Sequence, residues 1–111
     1  MEYGELTSEE RIIFDIFNQL IHEIGRAYDF IFFDKEAGGL GEICIYKDVN
    51  NKWVLYVIER GQKFGYREYD NLYNLCLDVF EMFEKMNTDY CVSVFPALVQ
   101  NALNEQPKKL R

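Results

Sequence analysis

The stretch KWVLYVIER, residues 52–60, constrains this sequence of 111 residues more than any other. As a strand it is apolar in both phases: Trp53, Leu55 and Val57 point one way, and Val54, Tyr56 and Ile58 the other. A strand at the surface of a sheet alternates apolar with polar, so one that is apolar on both sides is central and covered on both faces. It needs neighbouring strands and enough apolar material to cover two surfaces. Composition supplies that material, since 49% of residues are hydrophobic and 16% aromatic. Such a chain has the means to build a core and is not expected to be disordered outside its ends.

The neighbours can be read on either side. Residues 42–47 alternate Glu42, Cys44 and Tyr46 against Ile43, Ile45 and Lys47. Asn50-Asn51 tolerates positive φ, so strands 42–48 and 52–60 form a hairpin. Gly61 ends the central strand, and Phe64 to Tyr69 form a third member of the meander. Residues 28–33 are aromatic and β-branched and favour another strand. Between them, Gly38-Gly39-Leu40-Gly41 reads as a tight hairpin connection or a flexible loop.

Helical periodicity brackets this sheet. Thr7 and Glu10 have capping-box spacing, and Ile12, Ile13, Ile16, Phe17, Leu20, Ile21 and Ile24 then form one apolar stripe. Asp70 is a plausible N-cap for a second helix, in which Leu72, Leu75, Cys76, Val79, Met82, Phe83 and Met86 share a face. Asn87-Thr88-Asp89 breaks it. Pro96 argues for an extended piece near 90–95 followed by a helix at 96–105, with a frayed tail over 107–111. The expected fold is a single α+β domain over residues 1–111. Its antiparallel sheet of three to five strands, a β-meander at its centre, packs against an N-terminal helix and one or two C-terminal helices.

Charge and residue pattern exclude several functions. The net charge is −7, and the only basic cluster is the short tail PKKLR, so nucleic-acid binding is disfavoured. An acidic domain suits a basic protein partner, through complementary potentials that steer encounter. No apolar run approaches the ~18–20 residues that span a membrane. The start, MEYGELTSEER, is acidic and leads into an amphipathic helix, unlike a signal peptide. A cytoplasmic protein is expected. Cys44, Cys76 and Cys91 are odd in number and each sits in an apolar pattern, so they read as buried hydrophobes rather than disulfide or zinc ligands. His22 lies on the polar face of the first helix with no nucleophile beside it, and reads as a surface histidine. Asp34-Lys35-Glu36 lacks the third carboxylate of a calcium loop. The Gly38–Gly41 stretch lacks the lysine and hydroxyl of a phosphate cradle. No catalytic residue, metal or cofactor is expected.

Aromatics remain to be explained. Tyr46, Trp53, Tyr56, Phe64, Tyr66, Tyr69 and Tyr73 cluster in a short length of chain. Most are expected in the core. Tyr66 and Tyr69 flank Arg67 and Glu68 and are the least suited to full burial. Tyr, Trp and Arg are also the side chains enriched at interface hot spots. The expected partner-binding surface is therefore the hairpin end: Glu59, Arg60, Tyr66, Arg67, Glu68, Tyr69 and Asp70.

The pattern W-V-L-Y-V-I-E-R-G at 53–61, followed by an aromatic–charged strand and a helix, resembles a group of small bacterial immunity proteins. These are cognate inhibitors in contact-dependent inhibition and other polymorphic toxin systems, and the resemblance covers residues 42–86. It implies a non-enzymatic protein that binds a toxin's C-terminal catalytic domain stoichiometrically, at the active site or an adjacent exosite. Many such toxins are nucleases with basic clefts that an acidic inhibitor can occupy in place of phosphate. Two alternatives stand beside it. One is an interaction module or homodimeric adaptor using the aromatic sheet face. The other is a small-ligand binder or enzyme with its pocket between sheet and helices. Steered association slows as salt rises, whereas a hydrophobic homodimer is largely indifferent to salt.

Overall fold

The computed structural model describes residues 6–33, 40–82 and 88–109. Helix α1, Ser8–Glu23, starts at the capping box read from the sequence. The Thr7 hydroxyl accepts from the Glu10 N–H at 3.0 Å, and the Glu10 carboxylate accepts from the Thr7 N–H at 2.9 Å. Two orphan donors of the first turn are thereby satisfied. The helix buries Ile13, Phe17, Leu20 and Ile21. A 3-10 turn at Ala27–Asp29 leads into β1, Phe30–Phe32, a shorter strand than residues 28–33 would have made.

Strands β2, Leu40–Lys47, β3, Trp53–Glu59, and β4, Gln62–Tyr69, complete a sheet in the order β1-β2-β3-β4. The meander β2–β3–β4 is antiparallel throughout. Asn51 has φ +66° in the β2–β3 turn, where Asp48 Oδ1 accepts the backbone N–H groups of Asn50 and Lys52. The β3–β4 turn is the pair Arg60–Gly61, with φ of 54° and 79°, the left-handed pair that lets a two-residue turn follow the twist of its strands.

The expectation of an antiparallel sheet is corrected at β1. It pairs with β2 in parallel, Phe30 opposite Ile43 and Phe32 opposite Ile45, so the sheet is mixed and no hairpin joins the two strands. Gly41 is part of β2, at φ +92° beside a register irregularity, while residues 38–39 lie outside the described residues. An apolar run of three residues pairs equally well in either direction. Orientation is set by the path of the chain, which residue pattern does not encode.

Helix α2, Leu72–Met82, is capped by Asn71, not Asp70: the Asn74 N–H donates to Asn71 Oδ1 at 2.8 Å. Asp70 instead pairs with Lys52 at 2.5 Å. Phe83 and Met86 fall outside the described residues. The extended piece read at 90–95 is also corrected. Helix α3 runs unbroken from Thr88 to Lys109, through Pro96 and through Pro107. A proline inside a helix forfeits one backbone bond and costs about 3 kcal/mol. Cys91, Phe95 and Val99, at helical spacing around Pro96, are all buried in the main core, and that burial outweighs the loss.

The three helices share one core with a single face of the sheet, α3 packing against α1 and α2. Their buried side chains join Phe30, Ile43, Ile45, Trp53 and Leu55 in one cluster. Cys44, Tyr46, Val54, Tyr56 and Ile58 form a second cluster on the opposite face. Strand β3 is therefore buried on both sides, as its two apolar phases require. The fold is α+β.

Candidate functional site

β4 is at the end of the sheet, and its side chains from Gln62 to Glu68 are exposed. Two of them are large aromatics, Phe64 at 50% and Tyr66 at 51% exposure. The strand carries a bulge. Leu55 faces Arg67 and Val57 faces Phe64, so Gly65 and Tyr66 together oppose Tyr56. Gly65 adopts φ +63°, a conformation that favours glycine.

The structure divides the predicted site residues between several settings. Glu59 and Arg60 are exposed at the β3–β4 turn. Tyr66 and Glu68 are joined on the face away from the helices: the tyrosine hydroxyl donates to Glu68 Oε2 at 3.3 Å. The Tyr66 ring stacks on buried Tyr56, centroids 6.2 Å apart, and Lys63 Nζ sits 4.8 Å from the Tyr56 centroid. Arg67 and Tyr69 face the helices and share one acceptor, Asp78 Oδ2 of α2, to which Arg67 Nη1 lies at 3.5 Å. Asp70 stands apart with Lys52, which holds its carboxyl below the usual value. The surface is balanced in charge: Glu59, Glu68 and Asp70 against Arg60, Lys63 and Arg67. Exposed acids outside it include Glu9, Asp15, Glu23 and Asp89, on α1 and at the start of α3.

Partial burial and the bond to Asp78 push the Tyr69 hydroxyl up to about 12. A tyrosine that holds its proton more tightly when folded contributes stability that is present below its unfolded pKa near 10. That contribution is lost as pH rises through the folded value. Ultraviolet titration should show one phenol ionising near pH 12, absent in Tyr69→Phe. If the wild-type and variant curves coincide above pH 11, the Tyr69–Asp78 bond is not formed in solution.

Phe64 and Lys63 are the residues that sequence reading left out of the site. The signal was present, because the last strand of the meander carries charge in both phases, as edge strands commonly do. A second omission is internal. Lys47 is only 4% exposed, and its ammonium donates to Glu10 Oε1 at 2.7 Å. Trp53 Nε1 donates to Glu10 Oε2 at 2.9 Å. Lys47 follows Ile43 and Ile45 in the inward phase of β2, which is the clue in the sequence to a lysine turned into the core. Burial works to raise the Glu10 carboxyl, but the bonds from Lys47, Thr7 and Trp53 outweigh it and hold it below 4.5.

Two clefts bear on small-ligand binding. One of about 580 Å³ lies among the starts of α1 and α2 and the middle of α3, and its Glu10 carboxylate is already engaged. The other, about 380 Å³, lies between Leu55, Val57, Phe64, Arg67 and Met82 beside β4. The three cysteines are buried and form no disulfide. His22 is exposed on α1. Among the described residues no group of three or more His, Cys, Asp or Glu side chains is placed to hold a metal ion. No helix among them is long and apolar enough to cross a membrane. Comparison with protein-family models, with curated proteins and with solved structures finds no match for this chain.

Proposed function

We propose that this chain is an immunity-type inhibitor, a non-enzymatic protein that binds a basic toxin domain stoichiometrically through β4 and the β3–β4 turn. The observation that carries the reading is the exposure of Phe64 and Tyr66 on an edge strand, next to Arg67 and Glu68. Sheet edges are ordinarily short, charged or covered, and aromatic residues with arginine are the side chains that dominate interface energetics. The net charge of −7 supports a basic partner by steering its approach, while the balanced charge of β4 together with the flanking Glu59, Arg60 and Asp70 leaves short-range contacts to aromatics and paired polar groups.

The test is co-expression with the C-terminal domain encoded immediately upstream of this gene, scored by rescue of growth, followed by binding measurements. Tyr66→Ala, Glu68→Ala and Asp70→Ala, each shown to fold, are compared with wild type. At least one should weaken binding by more than ~1 kcal/mol, with Tyr66→Ala the largest. Association should slow as salt rises. Three neutral substitutions would remove β4 as the binding surface.

A further inference from the structure

The open edge of β4 is complementary to itself. We propose that β4 pairs antiparallel with β4 of a second copy of this chain, about a two-fold axis between Gly65 and Tyr66, joining two sheets into one.

The bulge makes this register work. Across β3, Val57 faces Phe64 and Leu55 faces Arg67, so Phe64 and Arg67 point to the helix-covered face. Ile58 faces Lys63 and Val54 faces Glu68, so Lys63 and Glu68 share the other face. In a regular strand, residues 63 and 68 would point to opposite faces, because side chains alternate. The extra residue at Gly65–Tyr66 brings them to the same one. Two copies centred on the bulge therefore set Lys63 against Glu68 of the second copy, and Phe64 against Arg67, each pair twice. Tyr66 then lies across from Gly65, where an aromatic ring can cover the glycine backbone. Opposite charges and cation–aromatic contacts directly across an antiparallel pair are favourable.

The backbone phase agrees. Antiparallel ladders alternate between residue pairs that exchange both main-chain bonds and pairs that exchange none. Asp48 N–H donates to Lys52 O at 2.9 Å and the Lys52 N–H returns to Asp48 Oδ1, so these two residues turn their main-chain groups toward each other across the β2–β3 loop. Counting from there, Val54, Tyr56 and Ile58 turn their main-chain groups toward β2. Glu68 and Lys63, opposite Val54 and Ile58, are consequently the residues whose own N–H and C=O point out of the sheet at the edge. The two-fold register sets these outward groups against each other. A register shifted by one residue puts Lys63 across from Arg67 or from Tyr69, on mismatched faces.

An edge of eight residues makes a small interface, at the low end of specific contacts, so the dimer is a reversible one of roughly micromolar strength or weaker. Sedimentation velocity over about 5–500 μM should show a concentration-dependent monomer–dimer equilibrium. K63E and E68K each set like charges across the axis twice and should weaken it roughly tenfold or more. The double swap K63E/E68K restores both pairs and should return to within about threefold of wild type, well inside the tenfold weakening of the singles. Both positions are exposed, and circular dichroism checks that each variant folds. A wild-type monomer at the highest concentration overturns the proposal and leaves the edge to a foreign strand. So do single reversals without effect, or a double swap as weak as the singles. The dimer does not rest on the toxin partner: a monomer leaves that reading standing, and neutral substitutions in toxin binding leave the dimer standing.

Discussion

Glu10→Ala should lower folding stability by about 3–5 kcal/mol, because it removes the carboxylate to which a buried ammonium donates. The Glu10 side chain is 17% exposed and that of Lys47 5%, so water does little to replace the contact. The same substitution takes the acceptor from Trp53 Nε1 and breaks the capping box of α1. Urea unfolding followed by circular dichroism measures it. Glu10→Gln keeps an acceptor but not the charge, and should cost about half as much. Adding Lys47→Met to Glu10→Gln should recover part of the loss, since the buried cation goes as well. A loss from Glu10→Ala below ~1 kcal/mol, the value of an exposed pair, would mean that Lys47 reaches water in solution.

The pH dependence has a definite sign. The Glu10 pKa is lower in the folded protein than in the unfolded chain, so its contribution is present above pH 4.5 and fades as pH falls through the folded value. The stability gap between wild type and Glu10→Gln should be level from pH 7 to 5 and narrow below 4.5. A gap that widens in acid would contradict the ion pair.

Phe17→Ala should cost about 3–5 kcal/mol, a large part of the total stability of an ordinary domain. Phe17 is 1% exposed and stands where α1, β1 and α2 meet. Its ring is edge-on to Phe30 at 5.5 Å between centroids and tilted against Phe80 at 5.2 Å. Truncation loses transfer free energy and aromatic contacts, and leaves a cavity between a sheet and two helices that cannot all close on it. Phe17→Leu refills most of the space and should cost less than about 1.5 kcal/mol. The same urea experiment checks both. A small loss for Phe17→Ala would show that α1 does not pack across β1 and α2.

Local rules carried far in this chain where a segment's energetics are settled within itself. Thr7 and Glu10 are three residues apart, so their capping box was legible. So was the burial of β3 on both faces, written in its two apolar phases. Legibility failed where a distant element decides. Pro96 is a helix breaker by local energy, and only the burial of Cys91, Phe95 and Val99 reverses that. Asp70 and Asn71 are both good caps, and Lys52, eighteen residues earlier, draws Asp70 away. In the candidate site, Tyr66 and Glu68 were legible as exposed from their mixed neighbours. Their separation from Arg67 and Tyr69 by the two faces of the sheet was legible as well, from plain alternation; what the bulge at Gly65 concealed is that Phe64 shares the face of Arg67 and not that of Tyr66.

The sequence by itself determined the helices, the central meander, the acidic charge and the aromatic–charged composition of β4, since each follows from short-range periodicity or simple counting. The tertiary structure alone decided the parallel pairing of β1, the continuity of α3, the pairing of Lys47 with Glu10 and the choice of Asn71 over Asp70 as the cap of α2. Those depend on which distant segments come together, and the free energy of such contacts is not a property of any one stretch of chain.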